Sequence, residues 1–247
     1  MAMVALSCWV VRVVTFTPSA FLSTVALAPD LSRRHLRRIM ARRASEHEFP
    51  EARLPRSKEG AAAEGYLSGQ LLVAMPGLTD PRFARAVICI CAHSADGAMG
   101  IVLNKPLESL SFEDLLKQLE VEPLPPQRQI RLLAGGPVEG GRGFVLHTAD
   151  WESDASLKVT GDLALTASVD ILKAIAGGGG PRQGLLALGY AGWGPGQLET
   201  EIQSNAWLNV TPDEALLFDS QPDTQWRQAL AKLRIDPLLL SSNAGHA

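Results

Sequence analysis

Five groups of residues have the types and spacing to do chemistry. Cys89, Cys91 and His93 alternate along an apolar run, so on a strand they would share one face. Three same-side neighbours on a strand seldom all reach one ion, and no second Cys/His pair sits nearby in sequence. The burial tendency of Cys favours core packing, and no metal site is expected. His147 ends Phe144-Val-Leu-His, where it could serve as a general base or ligand. No nucleophile can be assigned to it from sequence, and a hydrogen bond to a neighbouring loop is the simpler reading. Asn104, in Leu-Asn-Lys-Pro, either caps a turn or faces a ligand, and Lys105 beside it reads as a solvated charge. His246 belongs to a closing Ala-Gly-His-Ala tail that either docks or frays.

The fifth group is the stretch from Leu188 to Trp207. It reads as the end of a strand (Leu185 to Leu188), a glycine-rich loop and a short helix with Pro195 at its first position. Leu198 and Ile202 lie four apart and should enter the core, leaving Gln197 and Glu201 on a face beside Trp193. Glu199 sits in the first turn, where the helix dipole favours an acid. Two readings follow. Either Trp193 and Trp207 fill the core while Gln197 and Glu201 cap or solvate, or Trp193, Gln197, Glu199 and Glu201 form a recognition surface. Two apart on a helix, Glu199 and Glu201 diverge and make no catalytic pair.

The remaining glycine clusters carry no nucleotide signature. Gly135-Gly-Pro-Val and Gly177 to Gly180 lack the Gly-Lys-Ser/Thr that holds phosphate and magnesium. A Gly-x-Ser-x-Gly elbow and a His-Glu-x-x-His helix are also missing. No catalytic residue and no cofactor are assigned.

The elements that position these groups begin near Leu67. Strands are expected at Gln70 to Ala74, Ala86 to His93, Met99 to Leu103, Ile130 to Leu133, Gly143 to His147 and Ala206 to Val210, with weaker candidates near Leu157 and Leu163. Ser111 with Asp114 three residues on starts a helix that Pro123, Pro125 and Pro126 end. Ser168 caps another, stopped by Gly177, and a last helix runs from Pro222 to Leu233. Strands come in groups and do not alternate strictly with helices, which argues α+β.

Residues 1–65 stand apart from this pattern. They hold 10 Lys/Arg against 6 Asp/Glu, a balance of +4, with a basic block from Arg33 to Arg43. Their composition predicts a disordered basic extension, and Met40 reads as the true start, with a transit peptide or a genuine basic tail as the alternatives. No run in it is long and apolar enough for a membrane span. Residues 66–247 form the expected single domain and carry 13 Lys/Arg against 20 Asp/Glu, a balance of −7 that completes the −3 of the whole chain. An acidic domain repels a phosphate backbone. Three cysteines (Cys8, Cys89, Cys91) make no disulfide framework, so a reducing, cytoplasmic setting is expected.

Gly189-Tyr-Ala-Gly-Trp-Gly-Pro-Gly-Gln-Leu-Glu-Thr-Glu-Ile followed by Asn205-Ala-Trp resembles the signature of the YqgE/AlgH family of bacterial proteins. Leu71-Leu-Val-Ala-Met-Pro-Gly, Gly97-Ala-Met-Gly-Ile-Val-Leu-Asn-Lys-Pro, Gly135-Gly-Pro-Val and Gly143-Phe-Val-Leu-His match in the same order. The resemblance covers the chain from about Leu67 onward, and one departure is Arg234, where the family usually has Gly. It implies a strongly curved, mostly antiparallel sheet folded as a pseudo-barrel with helices packed outside. It also implies a role in transcriptional regulation. Without a helix-turn-helix bearing a basic second helix, that role points to a protein partner and away from direct nucleic-acid binding. The alternative is a small-ligand binder or hydrolase with a pocket near His147, Asn104 and Trp193.

Overall fold

The computed structural model describes residues 66–122 and 129–236. The basic extension with Cys8 and Met40, the Pro123–Pro126 stop and the His246 tail lie outside the described residues. Nine strands form the sheet: β1 (Leu71–Ala74), β2 (Val87–Ser94), β3 (Gly97–Val102), β4 (Arg131–Ala134), β5 (Val138–Thr148), β6 (Ser156–Lys158), β7 (Leu163–Thr166), β8 (Gly184–Trp193) and β9 (Trp207–Val210). The helices are α1 (Phe112–Gln118), α2 (Val169–Ala176), α3 (Gln197–Gln203) and α4 (Pro222–Lys232), with a π-helical turn at Ala215–Asp219. The strand order is β6-β7-β5-β8-β3-β2-β1-β9, and β4 pairs with β8 in the one parallel pairing among the described strands.

The sheet curls into a half-barrel. Its inner face gathers Leu157 of β6 and Val210 of β9, from opposite ends of the strand order, into one apolar cluster. Gly69, just before β1, lies against Thr160 in the β6–β7 turn; a Cβ built on it would fall 2.2 Å from the Thr160 methyl. The π-helical turn and α4 join this inner cluster through Leu216, Leu217, Trp226 and Leu230. Two further clusters cover the outer face. One packs α1 and α2 over Val145 and Leu186, and the other packs Leu198 of α3 with Ile88, Ile90, Trp193 and Trp207.

Two strands change the face their side chains point to part-way along. In β2 the register shifts between Ile90 and Ala92, leaving Cys91 as an extra residue. Cys89 and Ala92 therefore both face inward, whereas His93, paired with the outward Ala98, emerges on the outer face. The expectation that Cys89, Cys91 and His93 share a face is thus corrected. In β8 Leu185 and Ala187 point inward, and strict alternation would send residues 191 and 193 inward too. Gly189 takes a left-handed φ of 74° and breaks the alternation. Tyr190 then packs inward on Phe144, and Ala191 and Trp193 turn outward. The strand continues through Trp193, where the sequence suggested a loop after Leu188.

Most caps agree with their residue types. Ser111 accepts from the Asp114 backbone N–H at 3.0 Å, as its spacing predicts. Ser168 precedes α2 without a side-chain capping bond. Pro195 is not the first helical residue of α3: Gly196 caps that helix with φ 68°, and Pro195 belongs to the preceding turn. The π-helical turn carries no pattern that the sequence reading recognised.

Candidate functional site

The face change at Gly189 delivers Trp193 to the outer surface beside α3, and the C-terminal end of α3 delivers Trp207. Asn205 adopts φ 57°, and the Ala206 N–H reaches the Glu201 carbonyl at 2.9 Å while the Asn205 N–H reaches Ile202 at 2.9 Å. This pair of bonds closes a helix C-terminus, and Asn tolerates the left-handed residue it needs. The turn directs Trp207 back alongside its own helix.

Glu201 is the hub. Its Oε2 accepts from the indole N–H of Trp193 at 2.9 Å and of Trp207 at 2.8 Å. Its Oε1 accepts from the Gln197 amide at 2.8 Å, and the Gln197 carbonyl accepts from the Gly194 N–H at 3.1 Å. The two indoles meet edge to face with centroids 6.1 Å apart, and Phe83 abuts Trp207 in the same way. Trp193 and Trp207 are only 8% and 4% exposed, so their N–H groups depend on this carboxylate for a partner.

Glu199 turns the other way, to His93. The Leu67 backbone N–H donates to His93 Nδ1 at 3.0 Å, which leaves the ring proton on Nε2. Nε2 then donates to Glu199 Oε1 at 2.9 Å, as a hydrogen bond from a neutral imidazole. The Glu199 carboxyl is held below the ordinary carboxylate range, first by its own backbone N–H and then by the His93 bond, against the opposing pull of burial. One polar chain thus ties the entry of the domain at Leu67 to α3.

The structure brings Trp193, Gln197 and Glu201 together and places Glu199 next to them. It separates them from His147 and Asn104. His147 pairs with Gly184 at the start of β8, whereas Trp193 ends that strand, roughly 30 Å away at about 3.3 Å per residue. Asn104 lies beyond the far end of β3, six residues past the Ala98 that pairs with Trp193, or roughly 20 Å at the same rise. Its amide accepts from the Val87 N–H at 2.9 Å and donates to the Arg85 carbonyl at 2.8 Å, holding the β1–β2 connection. Lys105 donates to the Ala84 carbonyl at 2.9 Å in the same connection and is not simply solvated. His147, Asn104 and Trp193 therefore do not converge on one small site. Trp207, read from the sequence as core packing, and His93, weighed there only as a metal-ligand candidate, are both integral to the corner; the Asn205 turn and the β2 bulge that bring them in have no periodic signal.

His93, Trp193, Gln197, Glu201 and Trp207 all lie within the part of the chain that matches known proteins. A family model described as AlgH-like matches residues 71–238. The chain belongs to the AlgH-like, UPF0301 family. A UPF0301 protein of Rhodospirillum rubrum is 53% identical over 184 residues, covering 74% of this chain and 96% of that protein. A UPF0301 protein of Azorhizobium caulinodans is 54% identical over 190 residues, covering 74% and 93%. The solution structure of AlgH from Pseudomonas aeruginosa is similar with a TM-score of 0.61 and 43% identity, over 76% of this chain and 100% of that one. A Corynebacterium diphtheriae protein, DIP2367, shares the fold at 21% identity and a TM-score of 0.53, over 71% of this chain and 92% of its own. Among the described residues, no helix is long and apolar enough to cross a membrane.

Proposed function

We propose that this AlgH-like protein acts as a cytoplasmic, non-catalytic binding protein that regulates transcription through a protein partner, using the exposed rim of α3. One observation carries this reading: Glu201 locks Trp193, Trp207 and Gln197 into a rigid base beneath an exposed rim of Gly194, Pro195, Gly196, Thr200 and Gln203. A surface fixed before binding loses little conformational freedom when a partner docks. The acidic balance of residues 66–247 argues against a nucleic acid as that partner. Buried, unpaired Cys89 and Cys91 fit a reducing compartment.

The recognition reading thereby moves outward by one layer. Gln197 and Glu201 support the surface from beneath, and Thr200 and Gln203 present it. The test is a pull-down with the tagged full chain, with and without nuclease, beside a Thr200→Arg/Gln203→Arg variant whose fold is confirmed by circular dichroism. A protein captured despite nuclease and lost in the variant is the expected result. Equal capture by both forms would remove the rim from the mechanism, and capture abolished by nuclease would transfer the role to nucleic-acid binding.

A further inference from the structure

The two ends of the strand order are finished differently. At one end β6 is three residues long, carries Lys158, and has its Ser156 N–H turned back to the Ser153 carbonyl at 2.9 Å. A short strand with a lysine on it and a donor already engaged resists pairing with further chain. At the other end β9 has none of these protections. In its register with β1, Leu71 faces Val210 and Val73 faces Leu208, and the Met75 N–H donates to the Ala206 carbonyl at 3.0 Å. Hydrogen bonding alternates along an antiparallel pair, so Ala206, Leu208 and Val210 bond toward β1. Trp207 and Asn209 therefore turn their backbone N–H and C=O groups away from it. Among the described residues, none bonds to these outward groups. Asn209 is exposed, and no charged side chain occurs from Trp207 to Pro212.

The last described residues lie beside this edge. Lys232 at the end of α4 donates to Asp213 Oδ2 at 2.6 Å, three residues past the end of β9. Ile235 and Leu208 pack against the same inner cluster. The left-handed Arg234 has by then turned the chain off the helix axis, and Asp236, standing before a proline, favours an extended backbone. Residues 237–247 lie outside the described part. They begin Pro237-Leu-Leu-Leu-Ser-Ser and contain no Lys, Arg, Asp or Glu.

We propose that Leu238–Ser241 adds to β9 as a tenth, antiparallel strand of the same molecule. A strand that leaves from Asp213 and runs back toward Trp207 has the antiparallel direction, and its four residues span roughly 10 Å. Leu238 stands opposite Val210, Leu239 opposite Asn209, Leu240 opposite Leu208 and Ser241 opposite Trp207. Opposed residues share a face, so Leu238 and Leu240 extend the inner cluster beside Val210 and Leu208, while Leu239 joins Asn209 on the outer face. A slip of one residue would exchange the faces and leave a single leucine inside. Leu239 and Asn209 exchange both of their backbone hydrogen bonds, and Pro237, which has no N–H, falls just before the strand where it is tolerated. A segment tethered this close to its site is present there at an effective concentration of the order of mM, which a separate chain does not reach. The tail so placed covers an edge through which two copies would otherwise pair.

The test is amide hydrogen exchange of the full chain, read residue by residue by nuclear magnetic resonance. The Asn209 amide should exchange at least about tenfold more slowly in the wild-type chain than in Leu239→Pro, which deletes the N–H facing the Asn209 carbonyl. The Leu208 amide, bonded toward β1, should be protected equally in both and so reports an intact sheet. Leu240→Lys, which sets a charge against the inner cluster, should lose the Asn209 protection, and Leu239→Lys should keep it. The reverse pattern would overturn the register. Wild-type exchange at Asn209 as fast as in an unstructured peptide would overturn the proposal with no variant needed. Protection that survives Leu239→Pro would assign the edge to another element, and protection that rises with protein concentration would assign it to a second copy; either result overturns the proposal.

Discussion

At the residue scale, the corner around α3 depends on one carboxylate. Removing it in Glu201→Ala leaves the Trp193 and Trp207 indole N–H groups and the Gln197 amide without their acceptor. An orphaned buried donor costs about 1–3 kcal/mol, so the two indoles alone set a loss of at least about 2 kcal/mol. Urea unfolding monitored by tryptophan fluorescence should show that loss, with emission shifted as water reaches the indoles. Glu201→Gln retains an acceptor oxygen and should lose less. Arg234 makes the opposite prediction. It occupies φ 58° just after α4, where its N–H bonds Ala231 at 2.9 Å and the Ile235 N–H bonds Leu230 at 3.2 Å. That is the C-terminal turn for which Gly is suited, so this chain bears a small strain with Arg234 there. Arg234→Gly should raise stability by about 0.5–1 kcal/mol, the relief of a left-handed side chain less the added freedom of an unfolded glycine. Thermal unfolding should shift upward by about 1–4 °C.

At the element scale, the strand β8 determines which residues can meet. Gly189 is where its alternation breaks, and a Cβ there would lie 2.5 Å from the Gly136 carbonyl oxygen and 2.8 Å from that of Val138. Gly189→Ala combines a left-handed alanine with a clash against backbone that has little room to move. It should cost at least about 2 kcal/mol and alter the near-ultraviolet signal of Trp193. A mutant with wild-type stability and an unchanged aromatic spectrum would remove Gly189 from its role as the point of face change. This position also marks how far the sequence could be read. The strand cores, the Ser111 cap and the pairing of Gln197 with Glu201 were legible because each rests on a fixed spacing of two, three or four residues. A bulge obeys no spacing. Cys91 in β2 and Gly189 in β8 each shift the faces of all residues beyond them, so the meetings of His93 with Glu199 and of Trp193 with Trp207 could not be read from periodicity. The glycines around Gly189 signalled an unusual backbone, but not that the strand would continue through it.

At the scale of the whole molecule, the half-barrel makes its two ends share one stability. The inner cluster contains side chains from every strand as well as from the π-helical turn and α4, so neither end can unfold and leave that cluster intact. A change confined to the His147 end should therefore appear in the transition of the entire domain. His147 supplies such a change reversibly. Burial lowers its pKa from the ordinary histidine value of 6.5, partly offset by the Thr148 carbonyl bond and the nearby Asp150. The unfolded chain consequently binds a proton more readily than the folded one, and stability rises with pH across the interval between the two values. The contribution of neutral His147 is complete above the unfolded value near 6.5 and is lost as pH falls below it toward the depressed folded value. Protonation would also place a donor on Nε2 opposite the Thr166 hydroxyl, forcing that hydroxyl to turn and release its bond. Urea midpoints should accordingly decline as pH falls below about 6.5, ahead of the carboxylate range. Circular dichroism and tryptophan fluorescence should report the same midpoint at each pH, even though Trp193 and Trp207 lie at the far end of β8. Two separated midpoints would mean that the ends of the sheet unfold independently. A midpoint that stays flat until carboxylates titrate would mean that His147 accepts its proton in the fold as easily as in the unfolded chain.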